Sequence, residues 1–406
     1  MVLNDVCELI VDCEHKTAST QEEGYPSIRT PNIARGYLLL DEVNRVSEET
    51  YRKWTARAVP QSGDLIMARE APVGNVAMVP QGLRPCLGQR TLLIRPMRSK
   101  VDPRYLVYLL VGEEVQNMIH AMTNGVTVPH LNMKDVRSLL LPPLPSLPTQ
   151  RKIATILSAY DDLIENNQRR IKILAEMAQN LYRDWFVKFR FPGHEQARFT
   201  DTPLGPIPEG WKVKNLLSVA NVTYGFAFQS KQFNSDGNGK PVVRIRDVLD
   251  GTSDTFSPEK VGNKYLVENG DILVGMDGDF HMGFWVGGQA CLVQRVARFR
   301  SKGEIGRYHL FLALQEPVQH FNATITGTTV AHLGDKHIKT IEIKWPEARL
   351  TNQLNSILEP MLAQILNLRI KNTTLRRTRD LLLPRLISGE VDVSELDIAL
   401  PEEAVG

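Results

Sequence analysis

Residues 125–131 read GVTVPHL and residues 327–333 read GTTVAHL, so five of seven positions are identical at an offset of 202. Upstream, GDLI at 63–66 matches GDIL at 270–273, and Gln89-Arg90 matches Gln294-Arg295. Matching segments in the same order indicate that one structural unit occurs twice in this chain.

The spacing between matching segments is not constant. The GDLI and GDIL segments are 207 positions apart, whereas GYP-x-x-R at 24–29 and GKP-x-x-R at 239–244 are 215 apart. Loops of unequal length therefore connect a shared framework. Within each half, short β-branched runs alternate with Gly and Pro turns, which predicts a small mixed sheet. Unequal loops on an equal framework allow two related sites to take different ligands.

Each half ends in a stretch with the pattern of a long helix. No Gly or Pro occurs between residues 149 and 190, and a helix of that length would extend about 60 Å. Two such amphipathic helices are expected to pack as an antiparallel coiled coil; the alternative is that each covers only its own sheet. Asn167 at a heptad core position would then fix the register; the alternative is that Asn167 is a partly exposed helix residue. The heptad residues are Ile153, Tyr160, Asn167, Leu174 and Leu181 in the first helix and Leu354, Met361, Leu368, Leu375 and Leu382 in the second.

The composition is that of a folded protein, with 42% hydrophobic and 23% charged residues. Acidic residues interrupt the first twenty positions, so a secretory signal is not expected, and no apolar run approaches the length of a membrane span. The expected location is the cytoplasm. The four cysteines form no C-x-x-C pair, which disfavours a zinc or redox site.

The net charge gives little indication of a nucleic-acid partner. Residues 1–150 hold 16 basic and 16 acidic residues, and residues 211–345 hold 16 basic and 13 acidic residues. A DNA-binding surface would therefore need clustered cations, or phosphate contacts made by a partner protein. A coiled-coil protein-protein adaptor without DNA recognition is the alternative. A salt titration separates the two, because only DNA binding should weaken steeply with salt.

The sequence lacks the motifs of the enzymes that act on DNA. It has no G-x-x-x-x-G-K-[ST] loop, no Asn/Asp-Pro-Pro-aromatic motif and no H-E-x-x-H, which disfavours ATP hydrolysis, adenine methylation and zinc hydrolysis. Glu342-Ile343-Lys344 has the residue types of a nuclease site, but it lies in the alternating run 339–345, where solvated strand charges are the better interpretation. We therefore expect a non-catalytic chain that binds neither cofactor nor metal.

Several segments, taken in order, resemble type I restriction-modification specificity subunits. They are LPPLPSLPTQR at 141–151, the helix ending LYRDWF at 181–186, GDLI followed by AREAPVG at 68–74, and the paired G-x-T-V-x-H-L blocks. The second copy departs from the pattern: Asn352-Gln353 replaces Gln150-Arg151, and Met276-Asp277-Gly278-Asp279 replaces Ala68-Arg69-Glu70-Ala71. Those differences predict unequal contact chemistry in the two halves.

The resemblance implies a subunit in which two target-recognition domains each read one half of a bipartite DNA sequence. It also implies that the helices set the length of the unread spacer and dock two modification subunits, which restriction subunits can join. S-adenosylmethionine, ATP and Mg are then expected only on the partner subunits, with no membrane association.

The predicted fold class is α+β, with two pseudo-repeated α/β target-recognition domains separated by two long antiparallel coiled-coil helices. The predicted segments are recognition domain 1 (1–148), spacer helix 1 (149–192), a linker (193–210), recognition domain 2 (211–346), spacer helix 2 (347–390) and a tail (391–406).

Candidate DNA-binding residues fall into two groups. Forked donors and amides read base edges, while arginine and lysine position phosphates. Residues that recur in both halves suit phosphate or framework roles and those that differ suit specificity. The recurring residues are Arg29 and Arg244, Gln89 and Gln294, Arg90 and Arg295, Thr127 and Thr329, and His130 and His332; the differing ones are Arg35, Arg69, Arg84, Lys231, Arg246, Asp277 and His281.

Overall fold

The computed structural model describes residues 1–123, 129–325 and 331–400. Residue contacts divide the chain into two compact units: unit 1 is Met1–Leu163 together with the chain from Leu375 on, and unit 2 is Ile164–Thr374. This division differs from the consecutive segments predicted above, because part of each long helix packs into each unit. The boundaries of those segments stay predictions.

Over residues 1–123 and 129–146, the N-terminal part of unit 1 has seven strands and four short helices. The strands are β1 (Cys7–Asp12), β2 (Tyr25–Ile28), β3 (Arg45–Val46), β4 (Leu65–Ala68), β5 (Val76–Met78), β6 (Cys86–Leu87) and β7 (Thr91–Pro96). The helices are α1 (Glu48–Trp54), α2 (Pro103–Val111), α3 (Glu113–Ala121) and α4 (Met133–Arg137).

Unit 1 is built from two small sheets that share a core. One has the order β1-β7-β4-β5 with antiparallel neighbours, and the other has the order β3-β2-β6, in which β2 and β6 are parallel. Strand β4 is buried on both faces: Leu65 and Met67 belong to a core with α2, whereas Ile66 and Ala68 belong to a core with β2 and β6. A strand buried on both faces reads as continuously apolar, as this one does.

After the first long helix, α5 (Leu147–Phe186), the described residues of unit 2 form twelve strands and three short helices. The strands are β8 (Phe199–Thr200), β9 (Ile207–Pro208), β10 (Lys212–Asn215), β11 (Ala220–Tyr224), β12 (Lys240–Val243), β13 (Phe256–Ser257), β14 (Leu266–Val267), β15 (Ile272–Gly275), β16 (Met282–Phe284), β17 (Ala290–Leu292), β18 (Val296–Ser301) and β19 (Glu342–Trp345). The helices are α6 (Leu216–Val219), α7 (Arg307–Thr324) and α8 (Asp335–Ile338), and the second long helix is α9 (Ala348–Ile387).

Unit 2 repeats the sheet topology of unit 1. Its larger sheet has the order β11-β18-β15-β16, again antiparallel, and its second sheet contains the parallel pair β12 and β17. The central strand β15 repeats the two-sided burial of β4: Ile272 and Val274 face one core and Leu273 faces the other. The prediction of two pseudo-repeated α/β domains is confirmed.

The two long helices have 40 residues each and are antiparallel to each other. In unit 1, Lys152 donates to the carbonyl of Ser394 at 2.5 Å, and Asp161 binds Arg379. From the first contact to the second, the residue number increases along α5 and decreases along the C-terminal segment, so the two run in opposite directions. Ile153 and Leu157 pack in one cluster with Leu386 of α9. The antiparallel pairing is confirmed. The alternative is also true in part, because that cluster includes residues of the domain's own sheet and α2.

In unit 2 the helices meet at a buried amide pair. Asn167 Nδ2 donates to Asn372 Oδ1 at 2.8 Å, and Asn372 Nδ2 donates to the carbonyl of Ile164 at 3.3 Å. Only 8% of Asn167 and 3% of Asn372 are exposed. Of the ten heptad residues, Ile153, Asn167, Leu354 and Leu368 are buried and the others are half-buried. Because an unpaired buried amide is costly, this pair favours a single register of the two helices.

Among the described residues, no helix combines the length and the apolarity that crossing a bilayer requires.

Candidate nucleic-acid interface

In both units the recurring polar residues follow the parallel strand pair. Arg29 comes directly after β2, and Gln89 and Arg90 follow β6; the two strands pair in parallel at Ile28 and Leu87. The carboxyl ends of parallel strands meet at one edge of a sheet. These three side chains therefore originate from one edge of unit 1.

The same arrangement occurs in unit 2. Arg244 follows β12, and Gln294 and Arg295 follow β17, with Val243 paired to Leu292. We call these two places the recognition edges. Each recognition edge consists of the residues that directly follow its two parallel strands. It also includes the residue after β4 or β15, Arg69 or Met276, whose backbone N–H donates to them.

Backbone hydrogen bonds attach the two histidines to these edges. The carbonyl of Arg90 accepts from Arg69 N–H at 2.9 Å, and the carbonyl of Arg69 accepts from Leu131 N–H at 3.0 Å. An isolated β-bridge then places His130 opposite Glu70. Since Leu131 follows His130 directly, the histidine lies beside the arginine-bearing loop.

Unit 2 repeats these bonds and corrects one match between the halves. The carbonyl of Arg295 accepts from Met276 N–H at 2.8 Å, and an isolated β-bridge pairs Asp277 with His332. Met276 therefore corresponds to Arg69 rather than to Ala68, and Asp277 corresponds to Glu70. The second copy has lost an arginine but kept its carboxylate, so it departs less from the first than the sequence match indicates.

Each edge holds an arginine paired with that carboxylate. Arg90 lies 3.0 Å from Glu70 and Arg295 lies 3.4 Å from Asp277, as nitrogen–oxygen distances. Both arginine side chains remain about half exposed, at 52% and 50%. In unit 2, His332 Nδ1 also lies 2.5 Å from Asp277.

The two arginines share an unusual backbone conformation. Arg90 has φ +67° and Arg295 has φ +78°, in the left-handed region that costs a non-glycine residue about 1–2 kcal/mol. Strain of this kind persists where the surroundings enforce it, and it concentrates at functional sites. This conformation recurs at equivalent, half-exposed arginines of the two edges.

Next to Arg90 the first edge carries a cluster that sequence reasoning did not find. Asp12, at the end of β1, lies 2.5 Å from Arg57, 3.6 Å from Arg69 and 3.1 Å from His15. Arg69 Nε also donates to the carbonyl of Leu131 at 2.8 Å. No sequence pattern joins Asp12 to Arg57, because their contact depends on nonlocal strand pairing.

The second edge has different chemistry at the place of Asp12. Asp12 pairs with Leu92 and Tyr224 pairs with Ala297, two residues after Arg90 and Arg295 respectively. The Tyr224 hydroxyl donates to Asp335 at 2.7 Å. Burial and this carboxylate raise the pKa of Tyr224 well above its usual value. In unit 1 the acid Asp12 lies beside two arginines. At the equivalent positions, unit 2 has Tyr224 in place of Asp12 and Met276 in place of Arg69.

Several other candidates make framework contacts. Gln89 accepts from the Thr17 hydroxyl at 3.2 Å. Arg244 binds Asp247 at 3.3 Å and also the hydroxyl of Thr255. Arg35 donates to the carbonyl of Val111 at 2.6 Å.

The remaining candidates differ in their exposure and position. Arg84 precedes β6, at the opposite end from the first edge, and its guanidinium lies 5.0 Å from the Tyr25 ring. Arg29, Lys231 and Arg246 are exposed, and His281 is half-buried. The two recurring threonines lie outside the described residues: Thr127 and Thr329.

The described part of the chain offers little for metal chemistry. Within residues 1–123, 129–325 and 331–400, no group of three or more His, Cys, Asp or Glu side chains is placed to hold a metal ion. All four cysteines are buried, and burial raises the pKa of Cys7 and Cys86 to about 12. Glu342 and Lys344 lie on β19, where Lys344 Nζ donates to the carbonyl of Phe186 at 3.2 Å.

Two similar units with arginine-bearing edges, in a chain with two paired long helices, define a class of duplicated recognition protein. The sequence matches the family described as "Type I restriction modification DNA specificity domain" over residues 1–176 and 208–374. The chain belongs to this family. The resemblance inferred from the sequence segments is thereby confirmed.

Individual relatives agree with this assignment. The chain is 25% identical over 368 residues to the type I restriction enzyme MjaIX specificity subunit of Methanocaldococcus jannaschii, covering 86% of this chain and 82% of that protein. It is 30% identical over 196 residues to the EcoBI specificity subunit of Escherichia coli, covering 47% and 41%. A solved structure of a type I restriction-modification S subunit from M. genitalium has a TM-score of 0.57 at 15% identity, covering 95% of both chains, which supports the fold.

Proposed function

We propose that this chain is the DNA-binding specificity subunit of a type I restriction-modification complex, in which each recognition domain reads one half of a bipartite target. The repeated edge supports this most directly: an exposed, strained arginine occurs at the same place in both units. Paired readers of this kind bind half-sites at a fixed separation.

The unequal chemistry of the edges supports two different half-sites. At the first edge, Arg57 and Arg69 surround Asp12. At the second edge, Tyr224 takes the place of Asp12 and Met276 takes the place of Arg69. Arginine is the side chain that most often reads guanine in the major groove. Residues shared by both edges are better suited to phosphates, since they carry no information that distinguishes the halves.

We further propose that α5 and α9 set the length of the unread spacer. A helix of 40 residues has a length of about 60 Å, and antiparallel pairing would stiffen it. Asn167 and Asn372 favour one register of this pair. A rod of fixed length and register would define the distance between two readers.

The long helices would also dock two modification subunits. Apolar side chains on them remain exposed: Leu163 at 54% and Leu381 at 63% in unit 1, and Ile173 at 55% and Met177 at 50% in unit 2. Ile173 and Met177 are four residues apart and so lie on one face of α5, and contiguous exposed apolar surface of this kind is typical of partner-binding sites. S-adenosylmethionine, ATP and Mg would act on the partner subunits, and this chain would contribute no catalytic residue.

Methylome sequencing of the host, with and without this gene, tests the proposal. Loss of one two-part adenine-methylation motif on deletion is the expected result. As a biochemical check, binding of the complex to DNA containing that motif should weaken steeply between low and physiological salt. An unchanged methylome together with salt-insensitive association would favour the protein adaptor instead.

A further inference from the structure

Glu70 and Asp277 occupy equivalent positions and make the same contact in the two units. Each faces a histidine across an isolated β-bridge, His130 or His332, and each forms an ion pair with the strained arginine of its edge. The neighbouring residue differs, since Arg69 corresponds to Met276. An acidic side chain is therefore present at this position in both units, although its neighbour Arg69 corresponds to the uncharged Met276.

These carboxylates lower the positive charge at the place where DNA phosphate would bind. The Glu70 side chain is 24% exposed and that of Asp277 is 27% exposed, so both are accessible to solvent beside the half-exposed arginines. Neither arginine is buried in its ion pair, so the same guanidinium is open to an incoming anion. A phosphate would have to compete with a carboxylate already in place.

Pairing of arginines with acids at the edges is consistent with the near-neutral charge of both domains. At the first edge Asp12 similarly contacts both Arg57 and Arg69, so most arginines there have an acidic neighbour within 4 Å. A surface of bare arginines would bind any duplex through its backbone, because that interaction does not depend on sequence. Paired arginines bind random DNA weakly until other contacts hold the domain in place.

We propose that Glu70 and Asp277 restrain Arg90 and Arg295 from binding the backbone of DNA that lacks the target sequence. On a matching half-site, base contacts made elsewhere on the edge hold the domain long enough for phosphate to replace the carboxylate. On other DNA the ion pair stays closed. This inference rests on the proposed DNA-binding function and adds to it a role for acidic residues.

The test uses the full-length chain in complex with its host's modification subunits, and measures binding to a duplex with the target motif and to one without it. Glu70→Gln and Asp277→Asn keep the side-chain shape and remove the charge. Each should raise affinity for the duplex without the motif about two- to fivefold, the range expected for an exposed ion pair. Each should also steepen the dependence of log K on log salt by about one unit.

A matched control separates this role from a change in net charge. Glu48→Gln removes the same charge from an exposed pair on α1, where Glu48 lies 2.7 Å from Arg52. This variant should leave the salt dependence unchanged. The inference is overturned if Glu48→Gln has the same effect as Glu70→Gln, because the charge would then act from any position.

A double-mutant comparison covers a purely structural role of the acid. If Glu70 only orients Arg90, Glu70→Gln should weaken binding to both duplexes, and that outcome also overturns the inference. Arg90→Gln and the double variant Glu70→Gln/Arg90→Gln should bind alike, since the acid acts only through the arginine. Failure of the wild-type complex to prefer the motif would overturn the proposed function itself, which distinguishes the two failures.

Discussion

Inserting one helical turn into both long helices should lengthen the unread spacer of the DNA target. We would place four residues between Asp161 and Ile164 in α5, and four between Asn372 and Arg379 in α9. Both inter-helix pairs then keep their partners: Asp161 with Arg379 and Asn167 with Asn372. Four-residue insertions are tolerated in coiled coils as local unwinding.

The size of the change follows from helix geometry. Four residues add about 6 Å of rise and about 40° of rotation. One base pair adds about 3.4 Å and, at about 10.5 base pairs per turn, about 34°. Rotation is best matched by one additional base pair and rise by two. The spacer should therefore grow by one or two base pairs while both half-sites stay the same.

The assay is methylome sequencing of a host in which the lengthened gene replaces the original. An insertion in α5 alone is the control, because it displaces one helix against the other and should abolish methylation at any spacing. A lengthened protein that still methylates the original spacer would refute the idea that the helices measure distance. A change in the half-sites themselves would show instead that the insertion had disturbed the recognition edges.

Three further predictions concern stability and register. His309 is fully buried, and burial lowers its pKa from 6.5 to about 3. The free energy of unfolding that depends on the neutral imidazole is therefore fully present above pH 6.5 and is lost as the pH falls toward 3. Urea unfolding should show wild type losing about 2 kcal/mol between pH 7 and pH 5 that His309→Leu does not lose; equal losses would contradict this. Asn167→Ala leaves the buried Asn372 Oδ1 without its hydrogen-bond donor and should lower the free energy of unfolding by about 1–3 kcal/mol. The double variant Asn167→Leu/Asn372→Leu should be more stable than wild type but should methylate at more than one spacer length. Asp64→Asn breaks a buried bidentate pair with Arg95, made at 2.9 and 2.7 Å. It should cost about 3–5 kcal/mol in chemical denaturation, against at most about 0.5 kcal/mol for Glu48→Gln.

The duplication and the helices could be predicted from the sequence because both are periodic features. Apolar heptads indicate a paired helix wherever they occur, and the heptad residues lie on the two 40-residue helices α5 and α9. Arg90 and Arg295 were also identifiable, since Gln-Arg recurs after the parallel strand in both halves. These signals are local, or repeat at a nearly constant offset.

The partners of those residues could not be predicted in the same way. Asp12 meets Arg57 and Arg69 only through the pairing of β1 with β7 and β4 with β7, which a single sequence does not specify. The role of Asn372 could not be predicted for a different reason. In an antiparallel pair the residues that meet are not equivalent in the repeat, and Asn167 corresponds to Leu368 by the offset of 201 between the helices. Comparing the two copies therefore finds shared residues but not opposed ones.

Unit 1 is formed by two chain segments that are far apart in the sequence, and this affects the order in which the protein can fold during synthesis. Its contacts join α5 to Arg379 and Ser394, at separations of 218 and 242 positions, and its core includes Leu386 and Val393. The ribosome makes this unit first but completes it only after the whole of unit 2 has emerged. Until then, Ile153 and Leu157 lack part of their apolar covering, so the nascent unit 1 is exposed to chaperones and proteases for longer than unit 2.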